Sequence, residues 1–348
     1  MKFLFIGDVH VKTDNSEEID ILLYEIQRIS KDLKLDYIIV GGDVMHYHER
    51  LFTQCLNKSI NFLKKLSEIA YTYVLVGNHD YINNSEFLTQ NHWMNSIKSW
   101  ENLKIVDEVI EEKEFILCPY VYPGRFIEAL ETKTKDWSNK QIIFAHQEFK
   151  GCKMGAIVSI DGDSWEENYP YVVSGHIHDN QKVGDNIYYP GSPLQHAFGD
   201  SDTRVLCHIS TDEYKSRPEI IDIPLNVPKK RIIKATLSNI KDVIKKELSK
   251  NDDKDIKNDI KIKLDVTNEE FKLFKETKDY KDLINKGIKI QINKRSNKND
   301  KNESDEKNEK NDSENNFTSL LENMVKNDEI MVKSLYDEII LNKILITI

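Results

Sequence analysis

Five apolar runs of strand-forming residues, KFLFIG, YIIVGG, YTYVLVG, QIIFAH and YVVSGH, punctuate the first 180 residues, and each leads into side chains that can bind a metal ion. Amphipathic stretches separate the first three. In 16–33, SEEIDILLYEIQRISKDL, residues Ile19, Leu22, Leu23, Ile26 and Ile29 share one helical face. Short strands alternating with helices that cover them are the pattern of a layered α/β domain. In open α/β sheets the side chains just beyond the carboxyl ends of strands converge, however far apart they lie in the chain.

Asp8 and His10 follow the first run, Asp43 the second and Asn78 the third; His146 closes the fourth, and His176 and His178 follow the fifth. Taken alone, each block is weak evidence. Asp8 in GDVH suits a helix cap or a turn, and the pair in VVSGHIHD suits a hydrogen-bonded loop. GNHD is rarer, and the ordered set, each member after an apolar strand, outweighs accident. These oxygen and nitrogen donors suit two metal ions. A carboxylate can bridge ions about 3.5–4 Å apart, an arrangement that serves phosphate-ester hydrolysis, and Asp43, behind a glycine pair, is the candidate bridge. Donors without thiolate fit Mn²⁺, Fe²⁺ or Zn²⁺.

The formal charge is −10, from 49 Lys and Arg against 59 Asp and Glu, so no global positive field draws the chain to nucleic acid. The clusters Lys229, Lys230, Arg231 and Lys234, and Lys245 with Lys246, either touch a DNA backbone or form a solvated face. Cys55, Cys118, Cys152 and Cys207 lack CxxC spacing, which suggests reduced thiols packed in a core and an intracellular, cytoplasmic or nucleoid-associated protein. Asp8 interrupts the apolar start too early for a signal peptide, and no run is long enough to span a membrane.

The texture divides the chain into a catalytic domain over 1–217, a small α/β cap over 218–295, a linker over 296–316 and a helical segment over 317–348. The cap reads as strand-helix-strand-helix-strand. The linker, SNKNDKNESDEKNEKNDSENN, has no apolar side chain and is expected to be disordered. Beyond it, Leu320, Leu321, Met324 and Val325, then Ile330, Met331, Leu335, Ile339 and Ile340, suggest two short helices that dock on a partner or pack back onto the catalytic domain.

The blocks DxH, GD, GN(H/D), H and GHxH, complete from Asp8 to His178, resemble the calcineurin-like metallophosphoesterase superfamily. The resemblance implies a two-layered β-sandwich flanked by helices. It also implies one metal on Asp8, His10, Asp43 and His178, and another on Asp43, Asn78, His146 and His176. Within the superfamily the chain is most similar to the SbcD-type DNA-repair nucleases, including the recombination nuclease subunit of T-even bacteriophages. GDVMH places His46 where those nucleases orient the DNA phosphate; GNHD supplies His79 as proton donor, with Asp80 to fix its ring; and NIYYPGSPLQHAFGD (186–200) resembles a block near the site. A surface histidine at 46, and a turn histidine at 79 bonded to Asp80, are the alternatives. HVK at 10–12 departs from the HLG that many of those nucleases carry there. His48, His92, His196 and His208 fall in no ligand block and read as structural or surface residues.

The resemblance implies an Mn²⁺-dependent DNA exonuclease and endonuclease that works with an SbcC-type coiled-coil ATPase. It also implies a homodimer through the helices near 50–70 and 84–100, whose Leu51, Phe52, Leu56, Phe62, Leu63, Phe87, Trp93, Ile97 and Trp100 equally suit a core. The rival readings are a phosphatase or phosphodiesterase acting on small nucleotides or phosphoproteins, and a scaffold that keeps the fold without the catalysis.

Overall fold

The computed structural model describes residues 1–212, 214, 217–248 and 256–294. The linker and the helical segment expected over 296–348 lie outside them. The described residues all fall within one compact unit.

The chain opens with β1 (Lys2–Ile6), α1 (Ser16–Ser30), β2 (Tyr37–Val40), α2 (Thr53–Ser67), β3 (Tyr71–Leu75) and β4 (Leu103–Val106). It continues through β5 (Ile110–Glu111), β6 (Phe115–Cys118), α3 (Phe126–Glu131), β7 (Ile142–His146), the hairpin β8 (Lys153–Met154) and β9 (Ile157–Val158), β10 (Tyr171–Gly175), β11 (Gln181–Val183) and β12 (Ile187–Tyr189). The strands β13 (Val205–Ser210) and β14 (Glu219–Pro224) then return to the first sheet, whose order is β14-β13-β1-β2-β3-β4. The second sheet runs β11-β12-β10-β7-β6-β5. In each, four adjacent strands are parallel, β1 to β4 in one and β12, β10, β7 and β6 in the other.

Alternation within β1 shows why the run is apolar throughout. Phe3 and Phe5 enter the layer between the sheets with Phe115, Phe144 and Val173, while Leu4 and Ile6 face the core under α1 and α2. A strand covered on both faces has no polar side to present. The result is the expected two-layered sandwich flanked by helices.

A three-stranded parallel sheet, β15 (Lys230–Ala235), β16 (Asp259–Val266) and β17 (Lys289–Lys294), packs with α4 (Ile240–Leu248), α5 (Asn268–Lys275) and α6 (Lys278–Asn285) around Ile262, Leu264 and Phe274. This is the cap. The second helical stretch expected there is two helices, because Thr277 stops one and its hydroxyl caps the next at Tyr280 N. The sequence border at 217 falls before β14, whose ladder to β13 belongs to the catalytic sheet, so the change of layer comes between Pro224 and Lys230.

α2 matches the helix expected near 50–70. The stretch 84–100 does not form an α-helix; it is turns with a short 3-10 helix, Trp93–Ile97. Asn83 takes the Ser85 N–H and Leu88 lies at φ 46°, so local side-chain bonds and a left-handed residue replace the helical ladder. Its apolar bulk is still used: Trp93, Ile97 and Trp100 join the core of the first sheet, and Phe87 that of the second. All four cysteines are free and buried. Among the described residues no helix is long and apolar enough to cross a membrane.

Candidate metal centre

All seven expected ligands meet at the carboxyl ends of the parallel strands, where the two sheets adjoin. The first sheet delivers Asp8, His10, Asp43 and Asn78, and the second His146, His176 and His178. Tight loops place them. His10, Asp43 and His176 have φ of 47°, 51° and 79°, left-handed values that cost roughly 1–3 kcal/mol each and persist only where the surroundings hold them. Gly42, at φ 102°, turns the chain into Asp43, and a β-carbon there would meet His146 Nδ1 at 2.4 Å.

The distances divide the donors into two groups that share Asp43. His10 Nε2 lies 3.1 Å from His178 Nε2 and 3.5 Å from Asp43 Oδ2. Asn78 Oδ1 lies 3.0 Å from His146 Nε2 and 2.9 Å from His176 Nδ1, and His146 Nε2 is 3.4 Å from Asp43 Oδ1. Ligands about 2.1 Å from one ion, at right angles, sit about 3.0 Å apart, so these separations are those of coordination edges. The two oxygens of Asp43 face different groups. His146 Nδ1 donates to Gly41 O at 2.6 Å, which leaves Nε2 free as a ligand.

Asp8 supplies an independent test of fit. Its Oδ1 accepts the His176 N–H at 2.8 Å, while Oδ2 is buried without a hydrogen-bond partner. A buried carboxylate oxygen left unpaired is costly, and a cation removes the cost. Burial opposes ionisation of Asp43, but His146, through its charge and hydrogen bond, and then His10 and His79 hold its carboxyl well below the usual range. His146 is correspondingly pushed up to about 9, Asp43 overcoming the opposing effect of burial. The residues present fit a pair of divalent ions.

A family model described as calcineurin-like phosphoesterase matches residues 1–180. "Putative phosphoesterase 244L" of Invertebrate iridescent virus 6 is 45% identical over 285 residues, which are 80% of this chain and 98% of that one. The chain belongs to the calcineurin-like phosphoesterases. A second relative, "Putative phosphoesterase 078R" of Invertebrate iridescent virus 3, is 44% identical over 294 residues, 82% of each chain. Among solved structures, a phosphatase from Mycoplasma pneumoniae aligns with 66% of this chain and 95% of its own at 14% identity, with a TM-score of 0.35.

His79 sits over the phosphoesterase centre outside the two donor groups. Its Nδ1 meets His46 O at 2.6 Å, and its backbone N–H donates to Asp43 Oδ1 at 2.8 Å. The ring stacks between His46 and His48, centroids 5.5 and 4.5 Å away and planes within 12° and 17°. Burial lowers the pKa of His79, and burial with Lys12 and His79 lowers that of His46 to about 4. The position expected for Asp80 is corrected here. Its carboxylate bonds elsewhere than the His79 ring: Oδ1 accepts from Met45 N and Trp93 Nε1, and Oδ2 from Val44 N and Gly77 N. Asp80 ties the GGDV loop to the GNHD loop, and the His46 carbonyl fixes the ring. With burial foremost and Asp43 adding to it, Asp80 is pushed up to about 7.

Three residues given no role by the sequence also belong to the centre. His48 covers one face of His79, Glu148 Oε2 lies 3.9 Å from His176 Nε2, and His196 packs against His10 and His178. HQE after the fourth strand is a signal that could have found Glu148; His48 and His196 stand in loops with no repeated spacing to mark them. His92 is structural as expected, bonded to Asp107. The YPGS block lies near the site, Ser192 N donating to His178 O at 3.1 Å. Lys12 of the HVK loop reaches the same rim, its Nζ 3.4 Å from His196 O.

Proposed function

We propose that this phosphoesterase hydrolyses phosphodiester bonds in DNA, as an exonuclease and endonuclease subunit with two divalent ions, Mn²⁺ by family resemblance. The observation that carries the reading is the stacked pair His46 and His79, which lies beside the seven donors and within ligand distance of His10. Two ions there would polarise a phosphoryl group and lower the pKa of water. His79 spends its Nδ1–H on the His46 carbonyl, so only Nε2 is left for substrate; it gives a proton or hydrogen bond to the leaving oxygen only when protonated there, a state that burial opposes. His46 shares the stack and is kept neutral by its surroundings, so it suits hydrogen bonding more than charge pairing. Asp80 supports both loops without touching substrate.

A phosphatase or phosphodiesterase for small substrates is the second reading, and the net charge of −10 favours it over unaided binding to a polyanion. The purified protein with Mn²⁺, offered labelled duplex DNA, a chromogenic phosphate diester and a mononucleotide, separates the two. Cleavage of DNA at rates at least matching the diester is expected; cleavage of the mononucleotide alone would sink the nuclease reading. His79→Ala should keep DNA binding and both ions yet cleave at least about tenfold to a hundredfold more slowly. If the loss of rate follows loss of metal, His79 is a ligand instead.

The proposal includes an SbcC-type coiled-coil ATPase as partner, docked through residues 317–348, and a homodimer. Leu51 and Phe52, 50% and 41% exposed ahead of α2, support an apolar contact of that kind. A chain ended after Asn316 should retain basal hydrolysis and lose co-purification with the ATPase; undiminished binding would refute the docking role.

A further inference from the structure

We propose that His196 is an additional metal ligand, completing a three-imidazole position with His10 and His178. This rests on the metal-centre reading above and adds a donor outside the family's set. The ring centroids of His10, His178 and His196 form a nearly equilateral triangle, with sides of 4.9, 4.8 and 4.7 Å. The planes cross at 69° to 85°. Three imidazoles on one ion, each bound at about 2.1 Å, put their centres roughly 3.2 Å from it and about 4.5–5 Å from one another when the angles are near 90–100°. The observed sides fall in that interval, and one donor nitrogen from each ring lies within 4.8 Å of the others.

Hydrogen bonding gives a second, independent argument. His196 Nε2 lies 3.2 Å from the carbonyl oxygen of Asp8, to which it donates, so the neutral ring keeps its lone pair on Nδ1. A metal-binding histidine commonly spends its other N–H on a backbone carbonyl in this way, as His146 does with Gly41 here. The backbone is fixed as well. Asp200 Oδ2 accepts from His196 N at 2.8 Å and Ala197 N at 2.9 Å. Gln195 binds the first cap strand, its Oε1 taking the Lys230 N–H at 2.7 Å, and Phe198 lies under the ammonium groups of Lys261 and Lys289. The cap therefore braces the loop that carries the ligand. A position with three imidazoles and a carboxylate favours Zn²⁺, Co²⁺, Fe²⁺ or Mn²⁺ over Mg²⁺, which prefers oxygen.

Cobalt titration of the full chain, followed by its visible absorption and by equilibrium dialysis, tests the assignment without reference to turnover. The wild type should take up two equivalents. His196→Gln, whose longer side chain carries its amide at the position of Nε2 and so keeps the bond to the Asp8 carbonyl, should bind one of them at least about tenfold more weakly, with an altered absorption band. His208→Asn, on β13, serves as the control and should match the wild type. A wild type that binds no cobalt defeats the whole metal-centre reading. Two equivalents with unchanged affinity and spectrum in His196→Gln defeat only the role of His196. Should the variant fail to fold, diethylpyrocarbonate labelling of the wild type decides: His196 should be modified after chelation and protected when loaded with cobalt, and equal labelling in both states would overturn the proposal.

Discussion

Asp43→Asn is expected to lose metal from both donor groups at once and to reduce hydrolysis by well over about a hundredfold, while the fold persists. Both carboxylate oxygens are engaged, one toward His10 and the other toward His146, so the amide cannot serve either side equally. His176→Ala should be less sweeping, because its Nδ1 belongs to the Asn78 group alone. Elemental analysis beside a rate measurement checks both. Normal stoichiometry with normal activity in Asp43→Asn would remove Asp43 from the centre.

Gly77→Ala should be nearly as damaging although it changes no ligand. A β-carbon at 77 would stand 2.2 Å from Asp43 Oδ1 and 2.3 Å from Asp43 N, and the second of these is backbone that cannot swing aside. Relief requires the GNHD and GGDV loops to part, against the bonds from Asp80 that hold them together. Overpacking of this kind costs about 1–3 kcal/mol. A displacement of the bridging carboxylate near 1 Å costs roughly a hundredfold in rate. Thermal melting and metal content should fall together, and a variant that melts and binds metal like the wild type would show that the loops tolerate the change.

The seven converging side chains were legible because each follows a strand whose burial on both faces writes a continuous apolar run. Strand, turn and donor then recur in a fixed order that neither composition nor chance supplies. The sandwich followed from the same runs with the help of family resemblance. Asp80 was misread because adjacency in sequence suggests contact, whereas neighbouring side chains in a tight turn point apart, and Asp80 points down into backbone N–H groups. His196 was missed since its partners are set by a loop folding back across the first strand, a contact 188 residues long in sequence. The stretch 84–100 has helical apolar spacing, but Ser85 bonds to Asn83 and Asn95 to the Gln90 carbonyl, local bonds that periodicity does not register.

Because one sheet supplies Asp8 and the other His176, 168 residues away, the centre acts as a cross-link as well as a site. Closing so long a stretch of chain carries an entropic cost that grows only slowly with length, and the sandwich core meets it before any ion can be held by both sides. Metal uptake should then be a late event in folding, gated by the docking of the two sheets. Chelation, in turn, should loosen the loop ends of β1 and β10 first, with amide exchange quickening at that seam while the centres of the strands stay protected.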